Sequence, residues 1–330
     1  MTRSTAQSDS MPLMLFLWVL IALFILVRPP LLNFIAYGLG LGEGGQPPAS
    51  GSTTGPATST PPAPAAPMVP PPMPRVLLQQ WPPAPARSSE LSAVEQEIFA
   101  ASQDERKTYG KPGLQPDSGL TAAAAMHSRR MADERFLGHT SPDGDGPADR
   151  FGKVARRAFG LVAENVAYMG GRAAEPGLGK RFVHDWMNSP DHRRNLLDGR
   201  YTHLGVACAE TTEPAGDPEA LPMPLVYCTQ LFLEAFAWSE QPIPETSPAG
   251  RALAVRLIPA GQHPPPVSLH QVHLGTGAEA ARADLGARAG AAEGTLVVGG
   301  PAGLYRIEAA VPTGDPGRVA LIPGPYLVVP

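Results

Sequence analysis

Fourteen prolines between Pro47 and Pro85 set the first limit on what this chain can fold into. Proline fixes φ and lacks a backbone N–H, so a stretch this rich in it forms neither a helix interior nor a central strand. From Gly42 to Arg87 the other residues are mainly Ala, Ser, Thr and Gly, with too few apolar side chains for a core. The 330 residues therefore divide into parts on either side of a semi-rigid spacer. A net charge of −4 gives no basic footprint for a nucleic-acid partner. Two cysteines exclude a disulfide-dense scaffold and a four-cysteine zinc site.

Upstream of the spacer, Met11 to Val27 (MPLMLFLWVLIALFILV) runs without a charge and ends at Arg28. As a helix it spans roughly 25 Å, close to the hydrocarbon thickness of a bilayer. A cleaved signal peptide is the competing reading, but its apolar core is usually shorter and no Ala-x-Ala site follows. Arg3 and the amino terminus against Asp9 and Arg28 leave the charge rule undecided. The spacer decides it: between Pro29 and Ala86 the only basic residue is Arg75, so little would hold that flank in the cytoplasm. The expected order is a cytoplasmic amino terminus (1–10), a transmembrane anchor (11–28) and a disordered Pro/Ala-rich linker (29–87). A central domain (88–238) and a small β-rich accessory domain (239–330) follow, both periplasmic or at the cell surface.

The central block reads as helices followed by a strand pair. Ser92 and Glu95 are spaced as a capping box, with Leu91, Val94, Ile98 and Phe99 on one face. A second helix is expected from about Ser118 to Arg135, where His127 shares a stripe with Leu120, Ala124 and Met131 and reads as a core residue. A third runs from about Leu178 to Asn188, and Ser189-Pro190-Asp191 opens a short fourth. Lys153, Arg156 and Arg157 read as a solvated helix face. Thr202–Ala209 and Leu225–Phe232 look like antiparallel neighbours that place Cys208 opposite Cys228 if the loop centres near residue 218. An oxidising compartment favours a disulfide there, two buried thiols being the alternative.

Three polar residues lie at breaks between these elements: His139 in GHTSPDG, Glu164 in AENVA and His192 in SPDHRRNLL. Two imidazoles and a carboxylate can coordinate a divalent cation such as zinc, or pair as acid and base. His192 falls near a helix N-terminus, which favours the neutral ring.

These residues sit inside a longer pattern: Gln103-x-x-Arg106, His127-Ser-Arg-Arg-Met131, His139-x-Ser141-Pro-Asp-Gly144, Arg150, Glu164-Asn165, Trp186-Met-Asn-Ser-Pro190-x-His192, Asn195-Leu196 and Thr229-Gln230-x-Phe232. In order and spacing it resembles the bacterial branch of the CAP superfamily: cysteine-rich secretory proteins, antigen 5 and pathogenesis-related proteins of the first class. The likeness covers about Leu91 to Phe236. It implies an α+β fold, an α-β-α sandwich, export, and a cleft lined by His139, Glu164 and His192, with His139 and His192 as metal ligands if a metal binds. The family's second glutamate falls at Ser189 here. The cysteine positions are those where many eukaryotic members carry a disulfide, which supports a Cys208–Cys228 bond.

After Ser239 the helical pattern stops and β-prone runs alternate with Pro and Gly, suggesting a small β-sandwich with Glu279–Ala292 as an Ala-rich crossover helix or loop. His270 and His273, three apart on a strand, point to opposite faces and do not suit a metal. The function expected is recognition of an envelope component or a small lipid-like or polar ligand in the His/Glu cleft, with a divalent metal as an optional bridge. The alternatives are a metal-assisted hydrolase using His139, Glu164 and His192, and a structural interaction module.

Overall fold

The computed structural model describes residues 88–211 and 224–330. The expected anchor and the linker lie outside the described residues. Among those residues no helix is long and apolar enough to cross a membrane.

The first part alternates helices with a sheet. In order come α1 (Ser89–Thr108), β1 (Gln115–Pro116), α2 (Ser118–Glu134), α3 (Pro147–Val154), β2 (Ala158–Gly170), α4 (Leu178–Asn188), α5 (Pro190–Leu197), β3 (His203–Thr211) and β4 (Leu225–Ser239). Helix α1 starts a turn before the Ser92 box because Ser88 caps it, accepting from the Leu91 N–H at 3.2 Å. Asp117 caps α2 in the same way.

Strand β4 is the spine, with β3 antiparallel on one side and β2 antiparallel on the other. Alternation along these strands builds two cores. Leu204, Val206, Cys228 and Phe232 pack with Ile98, Phe182, Trp186 and Leu196 of α1, α4 and α5. Ala207, Leu231, Leu233 and Ala235 pack with Leu120, Ala124 and Phe151 of α2 and α3. Helices therefore cover both faces of the sheet. Each large apolar side chain so buried contributes about 2–3 kcal/mol before the entropy cost of ordering it. Gly205 lets α2 lie directly on β3, since a Cβ there would overlap the backbone of Leu120 and Thr121.

Cys208 and Cys228 are directly paired and form the disulfide, their Cα atoms 4.2 Å apart. That spacing belongs to a non-hydrogen-bonded pair.

Seven more strands follow: β5 (Ala252–Pro259), β6 (Ser268–His273), β7 (Glu279–Asp284), β8 (Gly286–Arg288), β9 (Ala291–Val297), β10 (Gly303–Pro312) and β11 (Val319–Val329). Strands β5, β9 and β8 extend the sheet beyond the end of β4, while β11-β10-β6-β7 form a second sheet. Between the two sheets lies a core of Phe159, Val255, Leu257, Leu269, Tyr305, Ile307 and Leu327. The expected Ala-rich crossover is instead the three strands β7, β8 and β9. Pairing with β6 and β5 overrides the helix preference of alanine.

Of the basic residues expected on a solvated face, Arg157 is exposed, whereas Lys153 and Arg156 are half-buried. Arg156 donates to the carbonyls of Ile243, Pro244 and Tyr326 at 2.9, 2.6 and 2.7 Å, and desolvation lowers its pKa to about 10. Arg157 donates to the carbonyls of Ser239 and Glu240, and Lys153 pairs with Asp145. Helix α3 leans on β11 as well: Tyr326 donates to Asp149, and a Cβ at Gly152 would stand against the Tyr326 ring at 2.6 Å.

Candidate functional site

Glu164 sits in the middle of β2 with its side chain only 1% exposed. Its Oε1 lies 2.9 Å from Nδ1 of His139, and its Oε2 accepts from Nη2 of Arg150 at 2.6 Å. Arg150 comes from α3, whose first turn Pro147 opens. The guanidinium also donates to the carbonyls of His139 and Asp145, so one side chain fixes both the carboxylate and the loop that carries His139. A buried carboxylate held by a buried guanidinium avoids the large penalty of an unpaired charge.

His127 lies beneath this pair, 0% exposed, with Nε2 2.7 Å from the Gly138 carbonyl and 3.8 Å from Glu164 Oε1. Burial lowers its pKa to about 4, against the opposing pull of Glu164. It is the core histidine that the helical stripe indicated.

His192 stands on the other side of β2, in the first turn of α5. The Asn165 amide holds its backbone carbonyl at 3.1 Å, and Asn195 bridges to the Glu164 carbonyl at 3.2 Å and to Asn165 at 3.1 Å. Its pKa is lowered by burial first and then by His139, so the ring is neutral near pH 7. The direction matches the sequence argument, but burial and not the helix terminus is the main cause. Ser189 holds the N-cap position of α5 without a side-chain capping bond.

The three residues singled out in the sequence are thus gathered about one strand. Arg150, Asn165 and Asn195, which lock them there, carried no role in the sequence reading. The Pro147 and Asp149 start signals of α3 could have placed Arg150 on a helix. Metal donors are sparse: both oxygens of Glu164 are engaged, and Ser189 supplies no second carboxylate. Among the described residues no group of three His, Cys, Asp or Glu is placed to hold a metal ion. The residues present do not fit a ready-made zinc site.

A different constellation lies on the outer sheet. Ser268 Oγ is 2.9 Å from His270 Nε2, and His270 Nδ1 is 2.5 Å from Glu279. Ser268 is only 1% exposed on a sheet face, so the chain of bonds ties β6 to β7 and presents no nucleophile.

A sheet covered by helices on both faces, with two histidines flanking a buried glutamate at one strand, defines a CAP-type domain. Residues 100–232 match the cysteine-rich secretory protein family, CAP, and this block belongs to the bacterial branch of the CAP superfamily. The chain is 32% identical over 127 residues to the uncharacterised protein YkwD of Bacillus subtilis, covering 37% of this chain and 45% of that one. It is also 32% identical over 114 residues to the uncharacterised membrane protein YlbC of the same organism, covering 34% and 30%. The chain therefore spans less than half the length of either relative. Among solved structures, an extracellular protein containing an SCP domain from Bacillus anthracis aligns with 25% identity and a TM-score of 0.35, over 45% of this chain and 44% of that one.

Proposed function

We propose that this is a membrane-tethered, extracytoplasmic binding protein whose CAP block takes an envelope component, or a small lipid-like or polar ligand, at the rim formed by His139, Glu164 and His192. The observation that carries the reading is the state of Glu164. Arg150 and His139 engage its two oxygens, and what remains available is imidazole: the outer nitrogen of the half-exposed His139 and the ring of His192. Ring nitrogens donate or accept single hydrogen bonds, so the outer nitrogen of His139 and the ring of His192 present a recognition surface for polar groups. A cation would join only with a ligand that supplies the missing donors. The disulfide suits an oxidising compartment, and one relative is named as a membrane protein.

Zinc titration of the full-length protein by calorimetry tests this. No stoichiometric zinc site is expected. A tight site that disappears in both His139→Ala and His192→Ala would replace the binding reading with a metal centre and bring metal-assisted hydrolysis forward. Protease treatment of intact cells, with the protein detected afterwards, tests its placement: digestion of 88–330 is expected, and complete protection would remove the extracytoplasmic assignment.

A further inference from the structure

The register of β2 shows which of its backbone groups face outward. Cys208 and Cys228 form a non-hydrogen-bonded pair, so the N–H and C=O of Cys228 turn away from β3 toward β2, where its partner is Ala167. Ala167 and its odd-numbered neighbours therefore bond to β4, and Glu164, Val166, Tyr168 and Gly170 point their N–H and C=O to the other side. Two bonds agree with this alternation. Asn195 reaches the outward carbonyl of Glu164, and the N–H of Gly171 turns inward to Pro224. No third strand pairs on this side of β2 among the described residues. Asn195 closes the edge at Glu164 and Val166 is itself buried, so among the described residues the exposed stretch of the edge runs from Tyr168 to Gly170, about 7 Å.

That open edge runs into a groove. Met169 and Gly170 form one wall, and Lys180, Arg181, His184 and Asp185 of α4 form the other, around about 560 Å³. Arg181 is tied to Glu175 and His184 to Asp185. Lys180 has no ion pair among the described residues and is exposed, so it is the groove's cation open to a carboxylate, with Asp185 the one carboxylate on the same wall.

We infer that β2 takes an extended peptide as an added strand, with a carboxylate of that peptide opposite Lys180 and one end reaching the rim at His139 and His192. Main-chain bonds to an open edge supply affinity, and pockets for alternate side chains supply selectivity. The inference rests on the binding reading above and gives its ligand class, a short acidic peptide.

The probe is a phage-displayed library of linear heptapeptides selected on the full-length protein in detergent. Selected sequences are synthesised, labelled and titrated by fluorescence polarisation. Enrichment in Asp and Glu is expected, with affinity falling about tenfold in Lys180→Glu. Tyr168→Pro removes an outward N–H and leaves the β4 ladder intact, so it should abolish binding at an unchanged melting temperature, while Tyr168→Phe binds normally. If Tyr168→Pro fails to fold, N-methylation of the peptide replaces it: methyl groups on one alternate set of residues should abolish binding, and on the other set leave it unchanged. Failure to select any peptide above background, or equal effects of the two methylation patterns, would overturn the inference. Binding lost in His139→Ala but kept in Tyr168→Pro would also overturn it, and would leave the rim standing as the site. Binding lost in Tyr168→Pro supports the edge whatever His139→Ala does.

Discussion

Two arginine–glutamate pairs show how differently the halves of this protein handle charge. Arg150 and Glu164 are 3% and 1% exposed, and their neighbours are a buried histidine and carbonyl groups. Arg306 and Glu308 make the same chemical pair on β10, where Glu308 is only 7% exposed but Arg306 is 32% exposed and reaches water. The first pair has lost its hydration on both sides and depends on its partners, while the second keeps water at its arginine and leaves only its carboxylate dependent on the bond. Behind the second pair the core is apolar, with Leu269, Tyr305, Ile307 and Leu327 at 0% exposure. The C-terminal sheets are held by ordinary packing. The centre of β2 carries a costly polar cluster, held together by Arg150 and the residues it bonds.

The sharpest way to break the comparison is to remove each arginine. Arg150→Met should cost about 3–5 kcal/mol in urea unfolding, and Arg150→Met with Glu164→Gln should regain much of it, because the stranded charge is gone. Arg306→Met leaves Glu308 without its partner at a site that water reaches on one side, so it should cost less, about 1–2 kcal/mol. Equal losses would show that burial does not separate the pairs. Replacing both Cys208 and Cys228 by Ala should cost about 3 kcal/mol in the chain-entropy model, since their separation is 20 residues.

Acid should act on the centre first. His127 has a folded pKa of about 4 against 6.5 for a free ring. Below pH 6.5 the unfolded chain takes up a proton that the folded ring refuses, so stability falls as pH drops toward 4 and is unaffected above about pH 7. Between pH 7 and 4.5 the loss from this group should be about 2–3 kcal/mol. The lowered pKa of His192 adds in the same direction. His127→Gln should flatten most of the profile, and an unchanged slope would mean that another group controls it. The smallest effect is expected on the outer sheet, where Ser268→Ala removes one bond to His270 and should cost about 1 kcal/mol.

Much of the central block was legible in the sequence because its signals are local. Helices α1 and α2 carry caps and apolar stripes, α4 carries an apolar stripe and α5 a Ser-Pro start, and the cysteines mark the register of β3 against β4. Strand β2 was not read as a strand: Glu164 and Asn165 interrupt its apolar residues, and it is buried on both faces at that point, so no alternation shows. Arg156 looked like surface because its acceptors are carbonyls up to 170 residues away, which no local pattern records. The segment Glu279–Ala292 misled for the opposite reason, since its alanines favour a helix until long-range pairing decides otherwise. His139, Glu164 and His192 were found as separate motifs, but the side chains that bind them into one rim come from α3 and α5 and are visible only in three dimensions.

Helix α3 has an evolutionary consequence. One side of it aims Arg150 at Glu164, and on another Asp149 and Gly152 receive Tyr326 from the last strand, with Arg156 just beyond. A bulkier residue at 152 would push on the Tyr326 ring, and a changed ring at 326 would release the helix that holds the rim. Positions 149, 152, 156 and 326 are therefore constrained as a set. Drift in the C-terminal strands is limited by the rim they never touch, and homologues that lack those strands need another way to seat the same arginine.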